Sequence, residues 1–171
     1  MTRSAVAIAL MLAGTLSLAG LASWAAEEGN PAALAKALSE ARVPLDKGLK
    51  ASESEGRPIS GKYEVADGAL QLSVYTMKGD QFMEVIVDHK SGAIKKAEKI
   101  TDADDLKDAK EQSQAMAKAK VSLDKAVDSA VKANGSYRAV SVTPTLIADK
   151  PVANVTLMKD VEVKKVTERL D

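Results

Sequence analysis

Cysteine is absent from the 171-residue sequence, and histidine, tryptophan and phenylalanine occur once each. Without cysteine there is no disulfide, no thiolate metal site and no lipidation site. The single histidine, His89, has no second imidazole to share a metal or relay a proton, so zinc, copper and Ser-His chemistry are all poorly supported. Its neighbour Asp88 points to the other side of a strand or turn, and His89 itself reads as a solvated loop residue. No Gly-x-Ser-x-Gly, Gly-rich phosphate loop or His-Glu-x-x-His run occurs. These absences argue against an enzyme. An excess of one charge is missing too: 24 Lys and Arg balance 24 Asp and Glu. Nucleic acid and anionic membrane surfaces need a basic excess, so neither is expected as a partner.

One long hydrophobic run exists, at the amino terminus. Arg3 supplies a positive start, Ala5 to Leu21 is apolar apart from small Thr, Ser and Gly, and Ser23-Trp24-Ala25 places small residues where a signal peptidase reads them. The expectation is a signal peptide over residues 1–25, cleaved to leave Ala26 first, and a protein exported to the periplasm or secreted. Removing that segment takes one base and no acid, leaving a net charge of −1 and no tryptophan. The remaining aromatics are Tyr63, Tyr75, Phe82 and Tyr137.

What the chain does have is an internal echo. Val43-Pro44-Leu45-Asp46-Lys47 returns 78 positions later as Val121-Ser122-Leu123-Asp124-Lys125. Each copy continues as a short helical pattern, a Gly and a series of alternating segments, which suggests one supersecondary unit used twice. Asn30-Pro31 suits a helix start, predicting a helix over 32–42 and a second over 44–55. Gly48 inside the second costs about 1 kcal/mol relative to Ala, so fraying or a close backbone contact is expected there. In the second copy Thr101 to Asp104 opens a helix running to about Lys118. Leu123, Ala126, Val127, Ala130 and Val131 then form an apolar stripe ended by Asn134-Gly135.

Asp67-Gly68, flanked by alternating Tyr63, Val65, Leu70, Leu72 and Val74, is a strong hairpin signal. Further strands are predicted over 81–88, 93–100, 137–146, 151–158 and 161–170. Pro144 places its strand at an edge or a bulge. The fold class is α+β: two repeated units, each with helices packed on one face of an antiparallel sheet.

Val87-Asp88-His89-Lys90-Ser91-Gly92 resembles the Val-Asp-x-x-[Ser/Thr]-Gly signature that closes a PepSY domain, and it follows strands, a helix and a hairpin as in that family. On this resemblance residues 26–100 form a first PepSY-like unit. Residues 101–171 form a linking helix and a second, divergent unit, which ends Val161-Glu162-Val163-Lys164-Lys165-Val166 without the signature. The resemblance implies a cystatin-like helix-on-sheet fold and a role in binding or restraining peptidases. No protease-like segment follows, so a propeptide role within this chain is not expected.

Two groups of residues could carry function. Leu70, Leu72 and Val74, with Met83, Val85 and Val87, should face the helices. That leaves Tyr75, Met77, Phe82 and Ile86 on the opposite face, either covered by the second unit or free as a partner-docking surface with Phe82 and Tyr75 as anchors. The other group is acidic: Asp102, Asp104, Asp105, Asp108 and Glu111. Hard cations such as calcium or a trivalent lanthanide ion want converging carboxylates, but this spacing lacks the alternation and Gly of an EF-hand loop. Acids in a first helical turn are also what the helix dipole favours. A looser set, Glu53, Glu55, Glu64 and Asp67, is a second place for carboxylates to gather. The leading expectation is non-catalytic binding of a protein or peptide, such as modulation of a peptidase or an envelope sensor. The alternative is hard metal ion binding.

Overall fold

The computed structural model describes residues 30–171; the expected signal segment lies outside the described residues. Helices α1 (Pro31–Leu38) and α2 (Leu45–Ser52) precede strands β1 (Arg57–Ala66), β2 (Ala69–Lys78), β3 (Gln81–Val87) and β4 (Ile94–Lys99). Helices α3 (Ala103–Lys118) and α4 (Leu123–Ala133) precede β5 (Arg138–Ile147), β6 (Lys150–Lys159) and β7 (Glu162–Arg169). The strands make one antiparallel sheet in the order β4-β3-β2-β1-β5-β6-β7. The class is α+β, and the sheet passes without a break from β1 to β5 through Gly61↔Val142 and Lys62↔Ser141.

Local chemistry explains the element ends. The Asn30 side chain accepts a hydrogen bond from the Ala32 amide at 3.0 Å and Pro31 takes the first helical position, so α1 starts where its cap dictates. It stops at Leu38, short of the predicted Arg42, because the Arg42 and Val43 amides turn away to donate to the His89 carbonyl. At the other end of the molecule the Lys120 and Val121 amides donate to the Leu170 carbonyl in the same manner. The Asp67-Gly68 turn has positive φ at both residues (50° and 77°), the geometry that matches strand twist in a two-residue hairpin.

Helices α2 and α4 pack against each other on one face of the sheet. Leu45 and Leu49 of α2 approach Gly61, and a Cβ on Gly48 would lie 2.5 Å from Leu72 Cδ2, so Gly48 is the close contact expected of it. Leu72, Val74, Val85 and Val87 are buried on this face as expected, with Leu70 and Met83 half-buried at its margin. In α4 the stripe of Leu123, Ala126, Val127 and Ala130 is buried, which is what a core-facing helix requires.

Helix α3 corrects the expectation of helices on one face only. It packs on β1, β5 and β6, strands that α2 and α4 also touch, yet it makes no comparable packing with either helix. Its Asp105 acts electrostatically on Tyr75 and Glu84, which face away from α2 because they alternate with Val74 and Val85. The helix therefore crosses the opposite side. Ala109, Gln112, Ala115 and Met116 are its buried residues.

Pro144 is a second correction. It sits in β5, near the middle of the sheet rather than at an edge. The bulge in that strand falls between Ala139 and Ser141, not at Pro144. Pairing between β1 and β5 is confined to Gly61↔Val142 and Lys62↔Ser141, so no ladder bond to β1 is asked of the proline.

Candidate functional site: the face beneath α3

The face opposite α2 is mixed in character. Alternation along β1 places Ser60, Lys62 and Glu64 there; along β2, Gln71, Ser73, Tyr75 and Met77; along β3, Phe82, Glu84 and Ile86. Register sets Met77 opposite Phe82, Tyr75 opposite Glu84 and Ser73 opposite Ile86. The four apolar residues singled out in the sequence, Tyr75, Met77, Phe82 and Ile86, thus share one face. Their exposure is not uniform: Phe82 is 9% exposed, while Tyr75, Met77 and Ile86 are half-buried. Among the described residues, the large apolar side chains with most exposure lie elsewhere, at Val65, Ile147, Val161 and Val163.

Polar groups fill the rest of this face. Lys62 Nζ pairs with Glu64 Oε2 at 2.8 Å, the Ser73 hydroxyl donates to Glu64 Oε1 at 2.8 Å, and the Gln71 amide donates to Ser73 Oγ at 2.8 Å. Burial pushes the Glu84 carboxyl above its ordinary value, and the carboxylates of Glu64 and Asp105 add to this, while the neighbouring Ser73 hydroxyl and the charge of Lys62 oppose it. Burial likewise pushes the Tyr75 phenol up, helped by Glu84, Asp105 and Glu64 and opposed by Lys62. Ser60 Oγ, 1% exposed, and Gln112 Oε1, in a residue 4% exposed, are buried without a protein partner. Sequence reasoning missed this polar network. Its signal was the period-two run of polar residues at 60, 62 and 64 and again at 71 and 73, which reads equally well as a solvated strand face.

The acidic group is dispersed. Asp102 caps α3, accepting from the Asp104 amide at 2.9 Å and the Asp105 amide at 3.2 Å, so the cap falls one residue later than the predicted Thr101. Asp104 lies exposed in the first turn, Asp105 acts on Tyr75 and Glu84, and Glu111 is exposed. Among the described residues no three His, Cys, Asp or Glu side chains are grouped to hold a metal ion. Of the looser set, Glu53 pairs with Lys50 at 2.7 Å and Glu64 with Lys62, so these carboxylates are engaged separately.

The Val87 to Gly92 segment folds upon itself. Asp88 Oδ1 accepts from the Lys90 amide at 2.9 Å, the Ser91 amide at 2.7 Å and the Ser91 hydroxyl at 2.9 Å, and Gly92 takes φ +80°. Its carboxyl is held well below the ordinary value, first by Lys95 and then by Ser91 and Lys90. The Asp, Ser and Gly of the motif are thus requirements of one turn. His89 departs from the solvated reading: its side chain is half-buried and Nδ1 has no protein partner. A separate cleft of about 310 Å³ lies between Gly56, Arg57, Pro58, Met116 and the start of α4 at Ser122 and Leu123. The Arg57 guanidinium is committed there to the Met116 carbonyl at 2.6 Å.

No family model matches the chain, and no curated protein matches it. Its backbone is similar to the crystal structure of a candidate lipoprotein from Clostridium difficile 630, at 13% identity and a TM-score of 0.42, over 77% of this chain and 88% of that one. No helix among the described residues is long and apolar enough to cross a membrane.

Proposed function

We propose that this is an exported, non-catalytic binding protein built from two PepSY-like units, and that it takes a protein or peptide on the β2–β3 part of the face opposite α2. The observation that carries the reading is the shared placement of Tyr75, Met77, Phe82 and Ile86 on that face. The main packing of α3 falls on β1, β5 and β6 and that of α1 on β1 and β2, which leaves β3 as the strand of this hairpin that neither helix packs on. Aromatic anchors half-sunk in a polar surround are what a docking surface offers a partner.

The two-unit reading is supported by parallel details. Bulges interrupt β1 between Pro58 and Ser60 and β5 between Ala139 and Ser141. Arg57 donates to the carbonyl of Met116 in α3, and Arg138 donates to that of Leu38 in α1. Each arginine opens the first strand of one half and holds the helix end of the other. The self-contained Asp88 turn supports the family resemblance through the chemistry of its signature.

Replacing Ile86 by Asp tests the docking face. Retained stability with loss of periplasmic partners in a pull-down supports it. A loss of several kcal/mol of stability, as expected for a carboxylate forced into a buried contact, would instead assign Ile86 to the interior.

A further inference from the structure

The sheet ends in two edges, and they are unlike. One is β4, six residues long, with a register shift between Ile86 and Val87 in its pairing with β3. The other is β7, eight residues long and paired with β6 from Lys159↔Glu162 to Val152↔Arg169 without a break. Short or bulged edges resist the addition of a further strand, whereas a long regular edge invites it. The two halves of the chain sharpen the contrast. Strands β3 and β7 begin 81 positions apart. Arg42 and Val43 close on the His89 carbonyl just beyond β3, as Lys120 and Val121 close on the Leu170 carbonyl just beyond β7. Yet β3 carries β4 on its outer side, while among the described residues β7 carries no strand. The first half shows that this setting has room for one more.

The Leu170 amide donates to the Pro151 carbonyl at 3.0 Å, which fixes the alternation along β7. Val163, Lys165, Thr167 and Arg169 turn their backbone groups outward, and the residues between them turn theirs to β6. We propose that this edge pairs with β7 of a second copy of the chain, antiparallel about a two-fold axis at Val166. In that register Val166 meets Val166, and Lys164 of each copy stands opposite Glu168 of the other. Lys165 stands opposite Thr167, and Val163, 37% exposed, lies against the stem of Arg169. No like charges meet. An axis one residue earlier sets Lys165 against Lys165 and Glu162 against Glu168; one residue later, Lys165 against Arg169. Like charges directly opposite each other are destabilising, so charge selects the register. Within their own chain Lys164 and Glu168 hydrogen-bond to uncharged groups, Asn134 Oδ1 at 2.6 Å and Ser129 Oγ at 3.1 Å. A contact of this isologous kind closes at two copies. The comparison of β3 with β7 rests on the two-unit reading above; the charge register does not.

Sedimentation velocity of the full chain across a dilution series tests the pairing. The wild type should shift from dimer to monomer on dilution. Lys164→Glu and Glu168→Lys should each give a monomer with an unchanged circular dichroism spectrum, and the two together, which only exchange the charges, should restore the dimer. A thiol supplies a second readout, since the chain has no cysteine. Opposed residues of a non-hydrogen-bonded pair have Cα atoms about 4.5 Å apart, within disulfide reach. Val166→Cys should therefore form a covalent dimer on mild oxidation, and Lys99→Cys on the β4 edge should not. A wild type that is monomeric at every concentration, a dimer that withstands both single reversals, or folded Val166→Cys protein that does not crosslink overturns the proposal. Neither readout involves Ile86 or a foreign partner, so the docking reading and this contact fail separately.

Discussion

Gly61 of β1 stands opposite Val142 of β5, and these two residues are 81 positions apart. The same 81 positions separate the first residues of β1 and β5, of β2 and β6, and of β3 and β7. A residue that faces its own counterpart marks the place where a two-fold axis would pierce the sheet. That relationship, with the crossed Arg57 and Arg138 bonds, is the strongest support for reading the chain as one unit used twice.

Gly48 gives a sharp test of packing. Alanine there gains about 1 kcal/mol of helix propensity, but its methyl would lie 2.5 Å from Leu72 Cδ2, and Leu72 is fully buried. Overpacking of a tight core costs about 1–3 kcal/mol, so the net effect of Gly48→Ala is a loss of stability. Ala126 and Ala153, both buried, occupy the matching positions of α4 and β6. Adding Leu72→Ala to Gly48→Ala should therefore show favourable coupling in a urea-denaturation double-mutant cycle.

The Tyr63 hydroxyl donates to the Val43 carbonyl beneath the α1–α2 connection. Tyr63→Phe leaves that carbonyl without its donor and should destabilise the fold by about 1–3 kcal/mol. Burial pushes the Tyr63 phenol up to about 12 from its ordinary value of 10.0. The unfolded chain therefore loses this proton first, and stability contributed by Tyr63 should fall as pH rises from 10.0 toward about 12. Denaturant melts across that range, compared with Tyr63→Phe, read the effect directly.

Asp102 is the cap of α3, and Asp102→Ala should cost about 1 kcal/mol. Neutralising Asp104 and Asp108 together should cost at most about 1 kcal/mol, the scale of dipole compensation. Titration calorimetry with calcium and with a trivalent lanthanide ion separates this from a metal site. A heat in the wild type that the double variant abolishes would restore the metal reading.

Much of the fold was legible because local chemistry dictates it. Asn30-Pro31, Asp67-Gly68 and the Leu123 to Ala130 stripe each specify one conformation, and each stands where the sequence placed it. The placement of α3 was not legible. Its narrow stripe of Leu106, Ala109 and Met116 says that it packs, but the same stripe fits either side of a sheet. Pro144 misled because the edge rule assumes full pairing along a strand, and β5 pairs with β1 over only two residue pairs. The register of β2 and β3 put Tyr75, Met77, Phe82 and Ile86 on one face as expected from alternation. How much of that face the helices leave open could not be foreseen, since α3, a helix from outside the hairpin, packs mainly on β1, β5 and β6.

The claim that the β2–β3 face docks a partner is tested most directly by photocrosslinking in cells. A photoreactive residue at position 86 should yield discrete crosslinked species, while one at position 65, where Val65 is 40% exposed at the hairpin between β1 and β2, should not. Equal crosslinking at both positions, or none at position 86 in a folded protein, would contradict the account.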